Sequence, residues 1–164
     1  MIAVIGCGNA NRSDDGAGPR VIGLLRARGP VHHDVRLLDA GTDGMAVMFA
    51  ARGCQTLIVV DACQSGSPPG AVFELPGAET EQCYTPALNL HDFRWDHALY
   101  AGRKIFREAF PADVIVLLIE AETVMLDVGL SPAVRAATEI VADRVAALVA
   151  SRLESAANAP RQEP

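Results

Sequence analysis

The chain has 164 residues, of which 50% are hydrophobic and 21% charged, with a net charge of -6. That length and composition suit one folded domain with a sizeable core and lie far from the charge-rich profile of disorder. With 14 Lys and Arg against 20 Asp and Glu, a uniformly basic nucleic-acid binder is excluded, although a local basic patch is not.

The elements begin with a short apolar run, Met1 to Ile5, that stops at Gly6. It is too short for the core of a signal peptide and lacks a basic flank. No later run approaches the ~20 apolar residues of a membrane span, so the expectation is a soluble, cytoplasmic protein without membrane association. An amphipathic helix follows over about Ala17 to Arg28, then an apolar strand from Val35 to Leu38 ending at Asp39. Met45 to Ala51 reads as helix, and Leu57 to Val60 as a buried strand closed by Asp61. Prolines bracket Ala71 to Leu75, which makes it an edge strand. Residues 77 to 88 read as loop, and a helix is expected from about Leu90 to Phe106, with Asn89 as its cap. Val114 to Ile119 is the most apolar strand. Ser131-Pro132 opens a long helix to about Leu153, with serine as N-cap and proline in the first turn. Ser155 to Pro164 reads as a frayed tail, so the folded domain is placed at residues 1–154. Alternating short strands and helices imply an α/β domain with a mainly parallel twisted sheet covered by helices on both faces.

Ligands of open α/β sheets bind beyond the carboxyl ends of the strands. Three acidic segments gather there: Gly6-Cys7-Gly8-Asn9 backed by Asp14-Asp15, then Asp39-Ala40-Gly41-Thr42, then Asp61. One aspartate after a strand is often only a helix cap. Three of them, with glycines clearing space, read as a cation or acid-base site. A dinucleotide loop is disfavoured because the third glycine of GxGxxG would fall at Asn11, and because acidic Asp14 and Asp15 would repel a pyrophosphate.

His91, expected in the first turn of its helix, is disfavoured as imidazolium by the helix dipole and suited as a neutral metal ligand; the alternative is a cap-associated surface residue. His97 lies six residues on, roughly 240° around that helix, so the two rings do not share a face and an HExxH protease is excluded. His97 then reads as a packing or supporting residue, and His32-His33 as exposed side chains at the opposite sheet edge. Nucleophiles are scarce: no GxSxG occurs, and Cys63 has no neighbouring histidine. The four cysteines at 7, 54, 63 and 83 lack CxxC or regular spacing, which points to reduced thiols rather than a disulfide framework or structural zinc. Trp95, Phe93 and Phe106 read as helix core. At least one of Glu120 and Glu122 is expected at the crowded sheet edge, with capping or pairing to arginine as the alternative.

These motifs resemble those of the endopeptidases that mature the large subunit of nickel-iron hydrogenases. The resemblance rests on Gly6-x-Gly8-Asn9 with Asp14-Asp15-Gly16-x-Gly18, Leu38-Asp39-x-Gly41-Thr42 with Gly44-Met45, Val59-Val60-Asp61-Ala62, His91, and Val128-Gly129-Leu130-Ser131-Pro132, in order over about residues 1 to 150. It implies a twisted sheet between helices, and Asp15, Asp61 and His91 as the catalytic, metal-contacting triad. It further implies a loop of Asp39, Gly41 and Thr42 for substrate recognition. The metal implied is nickel brought by the substrate, which zinc or cadmium can replace in the free protein. The partner implied is the nickel-loaded precursor of a hydrogenase large subunit, from which a C-terminal peptide is removed. Asp15 stands where glutamate is common in the family, and the segment around Asp92, Trp95, Asp96 and His97 departs from its best-known pattern. A non-proteolytic nickel or hydrogenase chaperone and a nucleotide-binding regulatory domain are the competing readings.

Overall fold

The computed structural model describes residues 1–83 and 93–158. Strand β1 (Ile2–Cys7) is buried along its whole length because its alternate side chains supply two different cores. Ile2 and Val4 pack with Ile58 and Val60 of β3 (Thr56–Cys63) and with Ile115, Leu117 and Ile119 of β5 (Asp113–Glu120). Helices α1 (Ala17–Ala27) and α4 (Pro132–Ala157) cover that face. Ala3, Ile5 and Cys7 join Leu57, Val59, Val114 and Val116 on the other face, under α2 (Gly44–Ala51) and α3 (Trp95–Phe106). This period of two, apolar on both sides, is what a parallel sheet between helix layers requires.

The sheet order is β2-β1-β3-β5-β4, with β2 at Val35–Gly41 and β4 at Val72–Pro76. All neighbours pair parallel except β4, which runs antiparallel to β5 at the edge, as its prolines predict. The chain leaves β1 for β2 on one side and crosses to β3 on the other. The topological switch point therefore lies between β1 and β3, where ligands of such sheets bind. Gly18 makes a close approach possible there: a Cβ on it would stand 2.2 Å from the Cys7 carbonyl oxygen and 2.5 Å from that of Val60. Its absence lets the start of α1 rest directly on β1 and β3.

Ser131 caps α4, its hydroxyl accepting from the Val134 N–H at 3.4 Å, with Pro132 at the first helical position. The helix runs to Ala157, three residues into the expected tail. Strands β2 and β3 extend beyond their most apolar residues, so Asp39 and Asp61 lie inside strands rather than after them. The larger correction concerns α3, which starts at Trp95 rather than near Leu90. The Phe93 carbonyl accepts from the Gly44 N–H at 3.2 Å and Arg94 is extended (φ -87°, ψ 176°), so the backbone is committed to α2 before the helix begins. A continuous helix carrying both His91 and His97 is therefore wrong, and so is the angular argument that set them on different faces. No described helix is long and apolar enough to cross a membrane.

Candidate functional site

The turn after β1 divides two adjacent carboxylates between structure and chemistry. Ser13 adopts φ +48°, held by its N–H to the Asp127 carbonyl (2.9 Å) and its hydroxyl to the Met125 carbonyl (3.1 Å). This sends Asp14 inward, where it is fully buried. Its Oδ2 accepts from the N–H groups of Glu122 (2.9 Å) and Thr123 (3.2 Å), and its Oδ1 from that of Ser131 (2.7 Å). Asp14 thus clamps both ends of the β5–α4 loop. Asp15, half-buried, faces the other way and accepts from the Asn9 N–H at 3.0 Å.

Asp61 comes up from β3 with only 3% of its surface exposed. Its Oδ1 accepts from the Ala62 N–H at 2.9 Å. Its Oδ2 accepts from the indole N–H of Trp95 at 2.6 Å and from the Arg94 guanidinium at 3.4 Å. Burial pushes its pKa up to about 6 and Asp15 adds to the rise, against the opposing donors Trp95, Arg94 and Ala62. Gly8 separates the two acids: it sits at φ +117°, and a Cβ there would lie 1.9 Å from the Asp15 carbonyl oxygen and 3.3 Å from Asp61 Oδ1. Only glycine combines that backbone with that clearance.

A cavity of about 180 Å³ opens here, lined by Cys7, Gly8, Asp15, Gly41, Thr42 and Arg94 among others. A second, of about 410 Å³, is lined by Arg12, Asp15, Cys63, Gln64, Arg94 and Val124, so Asp15 and Arg94 stand on the ridge between them. The Gly8 N–H donates to the Gly41 carbonyl at 2.9 Å, which joins the β1 and β2 loops. Asp39 is exposed and its Oδ1 accepts from the Gly41 N–H at 3.0 Å, shaping the turn that places Gly41 and Thr42 on the cavity wall. Of the expected site residues, Asp15, Asp61, Gly41 and Thr42 are thus brought together, with Asp39 beside them. His91 lies outside the described residues.

The two thiols beside the site are poor nucleophiles. Burial, then Asp61, raises the Cys7 thiol well above its ordinary value. Cys63 is pushed up to about 12, first by burial and then by its bond to Glu120 at 3.3 Å. Both stay protonated at neutral pH. Glu120 does not belong to the acidic site. Its carboxylate accepts from Ser65 N–H (2.9 Å), Ser65 hydroxyl (2.7 Å) and Gly66 N–H (2.9 Å), and these donors hold its pKa down to about 2. Its task is to close the β3–β4 loop. His97, in the first turn of α3, packs near the Phe93 ring with 6.2 Å between centroids, and its N–H donates to Asp96. His32, His33 and Asp34 are grouped ahead of β2, at the far end of the sheet from the cavity.

Sequence reasoning missed Arg94 and the polar role of Trp95. No sequence signal pointed to it, because Arg94 becomes the N-cap of α3 only in the folded chain, whose helix begins at Trp95; there the helix dipole favours anions over a cation. A cation placed there needs an anionic partner, and Asp61 is that partner.

In donor chemistry, two carboxylates that repel each other at one rim fit a divalent cation, which relieves that repulsion and accepts hard oxygen ligands. Known proteins resemble this chain in both fold and sequence. The family model for hydrogenase maturation proteases (HycI) matches residues 19–148. The chain is 30% identical over 156 residues to the hydrogenase 2 maturation protease of Escherichia coli, covering 94% of each. It superposes on the hydrogenase maturating endopeptidase HybD of E. coli with a TM-score of 0.79 at 30% identity, over 92% of this chain and 93% of that one. A hydrogenase 2 maturation peptidase from a Thaumarchaeota archaeon shares the fold, with a TM-score of 0.69 at 23% identity over 92% and 98% of the two chains.

Proposed function

The chain belongs to the hydrogenase maturation protease family and is a peptidase, and on that premise we propose that it removes a C-terminal peptide from the nickel-loaded precursor of a nickel-iron hydrogenase large subunit. The nickel arrives as part of the substrate. Asp15, Asp61 and His91 contact it, while Asp39, Gly41 and Thr42 form the loop that meets the surrounding polypeptide. Zinc or cadmium takes the same place in the free protein. The reaction is cytoplasmic, in keeping with cysteines that are all unpaired.

The observation that supports this reading most is that Gly8 lets the Asp15 turn and the Asp61 carboxylate meet at one point, a Cβ there lying 1.9 Å from the Asp15 carbonyl oxygen and 3.3 Å from Asp61 Oδ1. Such a pair favours a substrate that brings its own cation over one that does not, which gives a physical reason for a protease to spare other peptides. Hydrolysis then needs an activated water and a place for negative charge. Asp15 and Asp61 are the carboxylates at the site that can take a proton from that water.

Incubation with nickel-loaded precursor, followed by intact-mass measurement, tests the proposal. Loss of a C-terminal fragment, absent with nickel-free precursor and absent with His91→Ala, is the expected result. A stable but unshortened complex would assign the chain to a non-proteolytic chaperone instead.

A further inference from the structure

Asp61 is gripped at both oxygens, and the two grips differ in kind. The Ala62 N–H on Oδ1 is backbone of the same strand, whereas the Trp95 N–H on Oδ2 comes from another element 34 residues away. At 2.6 Å the indole contact is short for an N–H donor, the direction expected when the acceptor is a carboxylate. An indole donates only, does not titrate near neutral pH, and here cannot swing aside, since Trp95 is 7% exposed within the core beneath α2 and α3. The Arg94 contact is different: it is longer, at 3.4 Å, and the side chain is 62% exposed. The oxygen that faces the space over Gly8, toward the Asp15 turn, is Oδ1.

We propose that Trp95 is a positioning residue for the cleavage reaction: its N–H anchors Oδ2 of Asp61, so that Oδ1 is the oxygen presented to the substrate. The inference rests on the functional reading above, and it adds a residue that acts through Asp61 rather than on the substrate. With only the adjacent Ala62 N–H and the exposed Arg94 to hold it, the carboxylate would keep more freedom about its side-chain torsions. A fixed donor on one oxygen holds the working oxygen within the few tenths of an ångström that a reacting group needs.

Trp95→Phe keeps an aromatic ring in the core and removes only the N–H donor with part of the ring. Precursor cleavage by this variant is expected to show kcat lowered about 10-fold to 100-fold with KM within about threefold, the size typical of lost support for a reacting ligand. Its melting temperature should stay within a few degrees of the parent. Wild-type kcat in a folded Trp95→Phe variant would overturn the proposal, as would a raised KM at unchanged kcat, which belongs to a direct substrate contact. A second readout leaves the tryptophan in place. Trp95 is the only tryptophan in the chain, so the indole N–H band in ultraviolet resonance Raman spectra reports this bond alone. Asp61→Asn should move that band toward a weaker hydrogen bond, and an unmoved band refutes the anchoring even where Trp95→Phe fails to fold. If the parent enzyme leaves the precursor whole, the functional reading fails and with it the catalytic role, while the Raman shift still establishes the anchor.

Discussion

Two neighbouring aspartates should respond oppositely to the same substitution. Asp14→Ala removes a carboxylate that is 0% exposed and accepts three backbone N–H groups, at 2.9, 3.2 and 2.7 Å. Hydrogen bonds to a charged group contribute roughly 1.5–3 kcal/mol each, and buried donors left without partners carry a desolvation penalty of similar size. Glu122 is exposed and Thr123 and Ser131 are only partly buried, so water recovers part of the loss. The expected cost is therefore about 3–5 kcal/mol rather than the full sum. At about 2–4 °C per kcal/mol for a chain of this size, the melting temperature should fall by roughly 6–20 °C. Asp15→Ala removes one backbone contact of a half-buried group and relieves repulsion with Asp61, so it should melt within about 3 °C of the parent. Cleavage, by contrast, should be lost in Asp15→Ala. Circular dichroism melts of both variants at pH 7, with precursor cleavage measured in parallel, decide the matter. Equal melting temperatures for the two variants would refute the division of labour. So would an Asp14→Ala protein that melts with the parent, because three backbone donors cannot lose a charged acceptor without cost.

The remaining predictions concern charge and backbone at the same edge. Asp61 is protonated more readily in the folded state (pKa about 6) than its ordinary value near 3.8, so its contribution favours folding fully below about pH 4 and is lost as pH rises through 6. Asp61→Asn should therefore be inactive yet at least as stable as the parent at pH 7.5, by up to about 3 kcal/mol, with the gap closing toward pH 4 in urea titrations; a gap that widens on acidification contradicts the sign. Glu120 runs the other way: with its pKa held down to about 2, its contribution is present above about pH 4.5 and lost as pH falls through 2. Glu120→Gln should melt several degrees below the parent at pH 7 and less so at pH 3, while metal binding, followed by calorimetry with cadmium, stays unchanged. Gly8→Ala places a Cβ 1.9 Å from the Asp15 carbonyl oxygen at φ +117°, so it should cost about 3 kcal/mol or more and abolish cleavage; a stable, active variant would show that the turn is looser than described.

What the sequence by itself determined is the part of this protein governed by short-range rules. Periods of two and of 3.6, the Ser131-Pro132 cap and the prolines around β4 located strands and helices, and their alternation implied a parallel sheet with helices on both faces. The same rules led to the segments that carry Asp14-Asp15, Asp39 and Asp61, because chemistry at an open sheet gathers at the carboxyl ends of its strands, and the family resemblance singled out Asp15 and Asp61 among them. Tertiary structure decided which side chain meets which. Asp14 and Asp15 are indistinguishable in composition, and only the arrival of Glu122 and Ser131, 108 and 117 residues later in the chain, makes one a clamp and leaves the other for the site. Glu120 was drawn to Ser65 and Gly66, Trp95 and Arg94 to Asp61, and the start of α3 was delayed by the Phe93 carbonyl's bond to Gly44. Each of these partners is set by strand order and helix docking, and a buried polar group takes whichever donor the fold brings within reach, because leaving it unpaired costs more than any local preference.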